Sequence, residues 1–388
     1  MTRLTSAWLF EDAPQTVMRA LGDAFFVGGC VRNALMDIPV TDIDIATPLL
    51  PEEAQTRLKA AGIRTVPTGL QHGTQTAVVD GEGIEVTTFR RDIETDGRHA
   101  VVNFTDDIAV DAARRDFTMN ALYATAEGEL VDPLGGEPDL HDRRVRFIGQ
   151  AEDRIREDYL RILRFFRFHA LYGSDGIDAD GLAACAELAD GIDGLARERI
   201  GWEFRKLLAA TDPAPATASM AAAGILMRCL PGADPTLLGP LVHVEHQTGR
   251  APDWLTRLAS LGGEAPAERL RLSKSEEQAL RSIKAAVESS GPVDQIAYWH
   301  GADAAVAAAY LQAASTATVP SDDIGDIAQK GAAQVLPVAA KDLMQSGWLE
   351  GPALGDALKK AEQHWVDSGF ALKKSDLIKL ISAFAREP

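Results

Sequence analysis

Short apolar runs alternate with polar turns near the start of the chain, a pattern typical of strands joined by helices. Phe25–Val27 predicts a strand, and Gly28-Gly29 predicts the turn that ends it. A short helix is expected over Val31–Met36, because Pro39 closes the run that follows. A second strand is expected over 41–47. The stretch therefore predicts a strand, a glycine turn, a helix and a strand.

Two further strands are predicted to form a hairpin. The segment 69–79 reads as a turn followed by a strand, Asp80-Gly81 is a hairpin turn signal, and a strand over 84–89 returns. Glu85 would stand beside the earlier strand if the two strands are neighbours; the alternative is an exposed glutamate on an edge strand. Residues 90–99 are polar and broken by glycine, which predicts a mobile loop.

The pattern becomes almost wholly helical in the second part of the chain, and we place a domain boundary near 145–150. A helix beginning near Ala151 is expected to carry Asp158, Arg161 and Arg164 on one side, because they recur every third residue. The alternative interpretation is a surface ion pair, worth roughly a few tenths of a kcal/mol.

Charge and composition narrow the function. The 388 residues carry a formal net charge of −18, which argues against non-specific adhesion to nucleic acid. From Arg143 to Arg167, however, arginines outnumber acidic residues, so a polyanionic partner is expected to bind there. The hydrophobic content of 46% is ample for buried cores, and the length suggests about two or three domains.

The compartment is predicted from what the sequence lacks. It has no apolar run long enough to span a membrane and no export signal at its amino terminus. Its three cysteines are widely spaced, without paired or zinc-ligand spacing. We therefore expect a cytoplasmic protein with no membrane association, no structural zinc and no obligate protein partner.

Two aspartates at alternate positions are the first candidates for chemistry. Asp42 and Asp44 emerge on one face of the predicted strand, while Ile43 and Ile45 point into the core. Two carboxylates held that close favour a hard cation between them, and Mg²⁺ is the natural occupant. Gly28-Gly29 lets a phosphate approach the backbone, which favours a triphosphate site. The alternative for this Asp-x-Asp pattern is a solvated strand edge.

A second polar cluster lies around apolar anchors in the segment 113–122. Arg114, Arg115, Asp116 and Asn120 are residue types that bind phosphate and ribose. A surface helix face would also explain this cluster, and the residues alone leave both interpretations open.

Four motifs in this order resemble the class II tRNA nucleotidyltransferase and bacterial poly(A) polymerase family. The motifs are Gly28-Gly29-x-Val31-Arg32 with Asp42-x-Asp44, then Glu85–Arg90, then Arg114–Ala121 without a fixed residue at 119, and Glu157-Asp158-x-x-Arg161-x-x-Arg164. They cover roughly the first half of the chain. Asn33 departs from the family pattern, which has aspartate there.

The resemblance implies an α+β protein with a nucleotidyltransferase head built on a small mixed sheet and with helical neck, body and tail domains. It also implies Mg²⁺-dependent addition of CMP and AMP, from CTP and ATP, to the 3′ end of tRNA. The boundaries predicted from this resemblance and the pattern are 1–147 for the head, 148–210 for the neck, 211–335 for the body and 336–388 for the tail.

The resemblance also implies roles for the matched residues. Asp42 and Asp44 would hold the metal ions, and Glu85 would complete the catalytic site. Asp158 would accept a hydrogen bond from the amino group of C or A, while Arg161 would donate to the ring nitrogen. The nucleotide-binding residues implied as a set are Gly28, Gly29, Arg32, Arg115, Asp116, Asn120, Asp158, Arg161, Arg164 and Arg167.

Three alternatives stay open at the level of sequence. They are a poly(A) polymerase of the same superfamily, a partial enzyme that adds only CC or only A, and a non-catalytic RNA-binding protein that has kept the fold. The presence of all three carboxylates disfavours the last. The segment Gly69–Thr74 looks more like the CCA-adding branch.

Overall fold

The structure, a computed structural model, describes four stretches of the chain: residues 2–69, 73–95, 100–174 and 176–384. The chain divides into two compact units, Met1–Ala233 and Asp234–Pro388, and each is taken by itself below. Among the helices that are described, none has the length and apolar character needed to cross a membrane.

Short strands of the first unit build its sheet structure. They are β1 (Phe25–Val27), β2 (Asp44–Thr47), β3 (Arg64–Gly69), β4 (Thr74–Val79), β5 (Glu82–Thr88), β6 (Arg90–Thr95), β7 (Ala100–Phe104), β8 (Tyr123–Ala124) and β9 (Leu130–Val131). Seven of them form one sheet in the order β3-β4-β5-β2-β1-β8-β9, and β6 pairs with β7 in a separate hairpin. The β2–β5 pair is parallel and the other pairs are antiparallel, so the sheet is mixed.

Helices make up most of the remainder of this unit. They are α1 (Asp12–Leu21), α2 (Gly29–Leu35), α3 (Pro51–Ala60), α4 (Ile108–Ala113), α5 (Glu137–His141), α6 (Ala151–Glu157), α7 (Leu160–Tyr172), α8 (Ala179–Glu187), α9 (Arg197–Leu208), α10 (Ala214–Ala222) and α11 (Ile225–Cys229). Single 3-10 turns span Ala7–Phe10, Thr118–Asn120 and Ala189–Gly194. A mixed sheet followed by helices confirms the predicted α+β class.

The second strand is shorter than the pattern predicted. β1 and the hairpin turn after β4 are confirmed, but β2 begins at Asp44 rather than at residue 41. The antiparallel partner explains the difference, because β1 pairs only Phe25 with Ala46 and Phe26 with Ile45 before the glycines turn the chain away. Asp42 therefore precedes the strand and is exposed.

The helix predicted to run on from Ala151 is broken. α6 ends at Glu157, and Asp158 has an extended backbone with φ −156° and ψ 106° before α7 begins at Leu160. The Asp158 carboxylate accepts from the Leu160 backbone N–H at 3.0 Å, so this side chain competes with helix continuation. The prediction that Asp158 and Arg161 lie on one face of one helix is therefore wrong.

The β-rich part also differs from the prediction in two places. The predicted loop over 90–99 is wrong for 90–95, which form β6 and pair with β7, whereas 96–99 lie outside the described residues. The strand β3 was not predicted, because it is an exposed edge strand containing Pro67. The predicted turn at 69–73 falls largely on 70–72, which also lie outside the described residues.

The second unit is helical throughout its described residues. Its helices are α12 (Leu238–Thr248), α13 (Trp254–Leu261), α14 (Pro266–Arg269), α15 (Lys274–Glu288), α16 (Val293–His300), α17 (Ala302–Thr316), α18 (Ile324–Ala332), α19 (Ala340–Gln345), α20 (Pro352–Asp367) and α21 (Lys374–Phe384). One core forms around the alanine-rich α17, and another forms around Trp365 of α20. The three predicted boundaries between the four domains stay predictions, since the division into compact units falls only at Ala233.

Candidate active site

The glycine turn between β1 and α2 brings backbone close to charged side chains. Gly28 has φ 72° and ψ −119°, a conformation that strongly favours glycine. Its N–H donates to the Leu122 carbonyl at 3.1 Å, and its carbonyl accepts from the Arg32 N–H at 2.9 Å. A Cβ at residue 28 would stand 3.4 Å from Arg115 Nη1, and one at Gly29 would stand 3.7 Å from Arg32 Nη2. The turn therefore leaves an open backbone surface beside two guanidinium groups.

Two predicted carboxylates meet across the parallel strand pair. Asp44 of β2 and Glu85 of β5 are register partners, and the Glu85 N–H donates to the Ile43 carbonyl at 3.3 Å. Because neighbouring partners project to the same face, Asp44 and Glu85 lie on one side while Ile45 and Val86 are buried on the other. Asp42 lies two residues ahead of Asp44 in sequence. The two strands are neighbours, which is the condition under which Glu85 was expected to stand beside Asp44.

Electrostatics at this edge favour a cation. Partial burial, and then the negative charge of Glu85, raise the pKa of Asp44 to about 6, although Arg115 opposes the rise. A nearby carboxylate at Asp42 acts in the same direction as Glu85. Carboxylates that repel one another in this way are stabilised when a divalent cation binds between them.

The donor set fits a metal that shares its ligands with substrate. Within the described stretches, no three His, Cys, Asp or Glu side chains are arranged as a complete metal cage. Mg²⁺ does not require one, because it is usually bound by one or two carboxylates together with phosphates and water. Asp42 and Asp44 beside an open glycine turn provide such a partial set.

Asp111 organises the arginines near the glycine turn, although the sequence reasoning missed it. Its carboxylate is only 1% exposed and pairs with Arg114 and Arg115, at 2.8 and 3.1 Å. Tyr123 also donates its hydroxyl to Asp111 at 2.7 Å. Despite burial, which opposes ionisation, these two arginines hold the pKa of Asp111 below its ordinary value. The i,i+3 and i,i+4 spacing from Asp111 was the signal available in the sequence.

A chain of hydrogen bonds connects the glycine-turn helix to α7. Arg32 Nη1 donates to Asn120 Oδ1 at 2.5 Å, and Asn120 Nδ2 donates to Asp116 Oδ1 at 2.8 Å. Arg164 Nε in turn donates to Asp116 Oδ2 at 2.7 Å. Arg32 also donates to the Tyr172 hydroxyl at 2.8 Å. The structure thus brings four predicted nucleotide-binding residues together: Arg32, Asn120, Asp116 and Arg164.

Phe168 is the aromatic centre around which three of these arginines gather. The guanidinium carbons of Arg32, Arg164 and Arg167 lie 5.2, 5.2 and 4.6 Å from its ring centroid. Arg167 also forms a buried ion pair with Glu203 of α9, at 2.5 Å. Sequence reasoning missed Phe168 and Glu203, because their role depends on packing between α7 and α9.

Asp158 and Arg161 are not paired with each other in this structure. Asp158 accepts from Arg199 at 2.6 Å. Arg161 pairs with Glu157 at 2.5 Å and donates to the Arg114 carbonyl at 3.0 Å. Both side chains are partly exposed at the start of α7, next to the cluster around Asp116.

Comparison with known families places this geometry in context. Residues 24–146 match a family described as the poly A polymerase head domain, which spans the sheet and all three carboxylates. Residues 176–237 match a family described as a probable RNA and SrmB-binding site of polymerase A.

Whole-chain comparisons extend beyond the head. The chain is 32% identical to the mitochondrial CCA tRNA nucleotidyltransferase 1 of Homo sapiens, over 91% of this chain and 85% of that protein. It is also 32% identical to the CCA-adding enzyme of Latilactobacillus sakei, over 88% and 89% of the two chains. The crystal structure of the Bacillus stearothermophilus CCA-adding enzyme in complex with CTP matches with a TM-score of 0.76 and 26% identity, covering 98% of each chain.

Proposed function

The chain belongs to the CCA-adding enzyme family of tRNA nucleotidyltransferases, and we propose that Asp42, Asp44 and Glu85 form the centre at which it adds CMP and AMP to the 3′ end of tRNA. The observation that supports this assignment is the register of Asp44 opposite Glu85 beside the Gly28 turn. CTP and ATP are the nucleotide substrates, and pyrophosphate leaves.

The family implies use of a divalent metal, and we propose Mg²⁺, held by Asp42 and Asp44. When bound, Mg²⁺ lowers the pKa of the attacking 3′-hydroxyl and neutralises charge on the triphosphate. Glu85 faces the same side of the sheet as Asp44 and is placed to complete the carboxylate set or to accept a proton.

The triphosphate site is assigned to the glycine turn and its cations. Gly28 and Gly29 provide backbone without Cβ atoms, so a phosphate can approach closely. Arg115 Nη1 lies beside the place where a Cβ of residue 28 would stand, and Arg32 Nη2 lies beside that of residue 29. Burial lowers the pKa of Arg32, because desolvation disfavours its charged form, and an anion bound beside the guanidinium would offset that cost.

Asp116 and Asn120 are assigned to the ribose. The Asp116 carboxylate accepts from the Phe117 N–H, from Asn120 and from two nitrogens of Arg164, which uses the roughly four hydrogen bonds that a carboxylate can accept. A ribose 2′-hydroxyl would therefore bind to Asp116 in exchange for one of these bonds. Arg164 holds Asp116 from the α7 side and connects the ribose position to the base-reading residues.

Base selection is assigned to Asp158 and Arg161, with Arg164 and Arg167 supporting them. Cytosine and adenine share an amino donor beside a ring acceptor, which matches a carboxylate and a guanidinium. This reading requires Asp158 to exchange its contact with Arg199, and Arg161 its contact with Glu157, for contacts with the base.

A double substitution tests this base selection. Asp158→Ala with Arg161→Ala removes the recognition pair, which should cost about 1–3 kcal/mol of discrimination. UTP and GTP should then become relatively competitive with CTP and ATP in single-nucleotide addition assays, while overall activity falls. Full retention of the CTP and ATP preference would place selection elsewhere.

The activity is tested with tRNA transcripts that end before, within and after CCA. Each is incubated with Mg²⁺ and one labelled nucleotide at a time. Ordered addition of two C residues and one A, ending at CCA, is expected. Unlimited A addition would identify a poly(A) polymerase, and addition of only CC or only A would identify a partial enzyme. Asp44→Asn is the inactive control.

A reducing compartment, the cytoplasm, is the proposed location. Cys30, Cys185 and Cys229 are all buried free thiols, and burial raises the pKa of Cys30 to about 11. Buried thiols of raised pKa are poor nucleophiles, so a structural role fits them.

A further inference from the structure

Asp111 has every acceptor position of its carboxylate in use. Oδ1 accepts from Arg114 Nε at 2.8 Å and from the Arg90 backbone N–H at 3.2 Å. Oδ2 accepts from Arg115 Nη2 at 3.1 Å and from the Tyr123 hydroxyl at 2.7 Å. Since a carboxylate offers about four lone-pair sites, Asp111 has no capacity left for substrate. Its influence on the reaction must pass through the groups that it holds.

Arg115 is the group held closest to the reaction centre. Asp111 fixes Nη2, and the Tyr123 hydroxyl accepts from Nε at 3.3 Å, with the guanidinium 5.4 Å from the Tyr123 ring centroid. The third nitrogen, Nη1, lies 3.4 Å from the position of a Cβ at Gly28. Arg115 is also the cation that opposes the rise in the pKa of Asp44. Two of its nitrogens are thus anchored so that the third is aimed at the glycine turn.

The charges of this cluster do not cancel. One carboxylate, Asp111, is shared by two guanidinium groups, Arg114 and Arg115, so this hydrogen-bonded group carries one positive charge in excess, which acts on the nearby Asp44. An ordinary buried ion pair would be neutral, because an uncompensated buried charge is costly. Excess positive charge beside Gly28 is what a polyanionic triphosphate needs.

The same carboxylate is connected to the β6–β7 hairpin. β6 begins at Arg90, and the N–H of that residue donates to Asp111 Oδ1. Asp111 is the fourth residue of the short helix α4, which packs on β6. A shift at the base of the hairpin therefore changes the hydrogen bonds of the carboxylate that holds Arg115.

We propose that Asp111 is a positioning residue for nucleotide binding, which holds Arg115 against the Gly28 turn and connects the base of the β6–β7 hairpin to the triphosphate site. The proposal rests on the proposed function, in which the glycine turn receives the triphosphate. It adds a residue whose effect should appear in the binding of phosphate groups rather than of base, ribose or tRNA.

The test compares Asp111→Asn with wild type in steady-state addition assays. The KM for CTP and for ATP should each rise about tenfold, because one charge-assisted hydrogen bond to Arg115 is lost, while the KM for tRNA stays unchanged. Inhibition by inorganic tripolyphosphate, which has neither base nor ribose, should weaken by a similar factor. Asp111→Glu keeps the charge but displaces Arg115, so it should give the same rise in the KM for CTP and ATP. It replaces Asp111→Asn in the test if the Asn variant does not fold.

A double variant shows whether the effect passes through Arg115. In an Arg115→Ala background, Asp111→Asn should add less than about twofold to the KM for CTP. Glu245→Gln is the matched control, since Glu245 forms a buried ion pair with Arg257 in the second unit. It should lower the melting temperature without changing the KM for nucleotides.

Two results would overturn the proposal. One is a wild-type KM and tripolyphosphate inhibition in folded Asp111→Asn and Asp111→Glu proteins. The other is full additivity with Arg115→Ala. Failure of the proposed function can be distinguished from failure of this proposal. If Asp42, Asp44 and Glu85 are not the catalytic centre, Asp44→Asn will retain turnover, whatever the effect of Asp111→Asn.

Discussion

Arg32 is a buried cation that, within the described part of the chain, donates its hydrogen bonds to neutral groups. Its Nε and Nη2 donate to Asn33 Oδ1 at 3.1 and 2.8 Å, and its other bonds go to Asn120 and Tyr172. The family pattern has aspartate where this chain has Asn33. At the proposed triphosphate site, this difference leaves more of the Arg32 charge available to an anion than a carboxylate neighbour would.

Asn33→Asp should therefore weaken nucleotide binding. The new carboxylate would partly neutralise Arg32, so we expect the KM for CTP and ATP to rise about two- to threefold with little change in the KM for tRNA. Asn33→Ala is the control, because it removes the acceptor without adding charge. An equal rise in both variants would show that hydrogen bonding, and not charge, sets the affinity.

The raised pKa of Asp44 predicts that the stability difference between wild type and Asp44→Asn depends on pH. Its pKa moves from an ordinary 3.8 to about 6 in the folded chain, so its favourable contribution to folding is present below pH 3.8 and is lost as the pH rises through about 6. Asp44→Asn cannot ionise. With chelator present, the variant should be more stable than wild type by about 1 kcal/mol at pH 8, after allowance for partial solvent exposure, and equal to it at pH 4.

Thermal unfolding of both proteins at the two pH values measures this difference. Added Mg²⁺ at pH 8 should raise the melting temperature of wild type more than that of Asp44→Asn, because only wild type keeps both aspartates. A stability difference that is the same at both pH values would contradict a raised pKa as its source.

The residues that sequence could identify are those that a short pattern places together, such as Asp42 and Asp44 at alternate positions. Glu85 could be placed beside Asp44 only on the condition that their two strands are neighbours, which the structure shows. Asp111 was missed, although its spacing to Arg115 is local, because nothing in the sequence shows that it is buried. Glu203 could not be paired with Arg167 in advance, since that contact depends on how α9 packs on α7.

At the scale of elements, the break between α6 and α7 sets the positions of Asp158 and Arg161, the two residues that we propose to read the base. The sequence offered a signal for it, because an aspartate two residues before Leu160 is a residue type that accepts from the first N–H groups of a helix. The spacing of apolar residues, however, continues across the break and favours one uninterrupted helix. Packing also contributes, since the Tyr159 ring at the break lies directly against Gly191.

Gly191→Ala should disturb this junction. A Cβ there would stand 1.8 Å from Tyr159 Cδ1, so the ring must move, at a cost of about 1–3 kcal/mol in the free energy of unfolding. Displacement of Tyr159 should also shift its neighbour Asp158 and reduce the preference for CTP over UTP. Stability is read from thermal unfolding, and the preference from single-nucleotide addition.

Gly194→Ala is the matched control in the same 3-10 turn. No heavy atom lies within 4 Å of a Cβ at that position, so stability and nucleotide preference should stay close to wild type. Equal effects at both glycines would mean that the turn itself, and not the Tyr159 contact, is sensitive.

On the scale of the whole molecule, the order of sheet and helices could be predicted, whereas the division of the helical part into domains stays a prediction. Periodicity shows where helices are, whereas a boundary depends on which helices share a core. Helix α10, which the predicted boundary at 210 separates from the neck, packs on α7. Its residues Ala216, Thr217 and Met220 are buried.

Truncation at two positions tests where the catalytic unit ends. A fragment of residues 1–233 keeps α10 and α11 with α7, so it should unfold cooperatively and retain CTP and tripolyphosphate binding close to that of the full chain. A fragment of 1–210 would expose apolar surface on α7, and it should melt at a lower temperature or aggregate. Both fragments lack the second unit, so the KM for tRNA should rise in any fragment that retains activity.

Arg115→Ala in the 1–233 fragment is the control, and it should lose tripolyphosphate binding. If 1–210 is as stable as 1–233, then the predicted neck boundary is the correct one. If 1–233 is folded but does not bind CTP, then residues beyond 233 contribute to the nucleotide site.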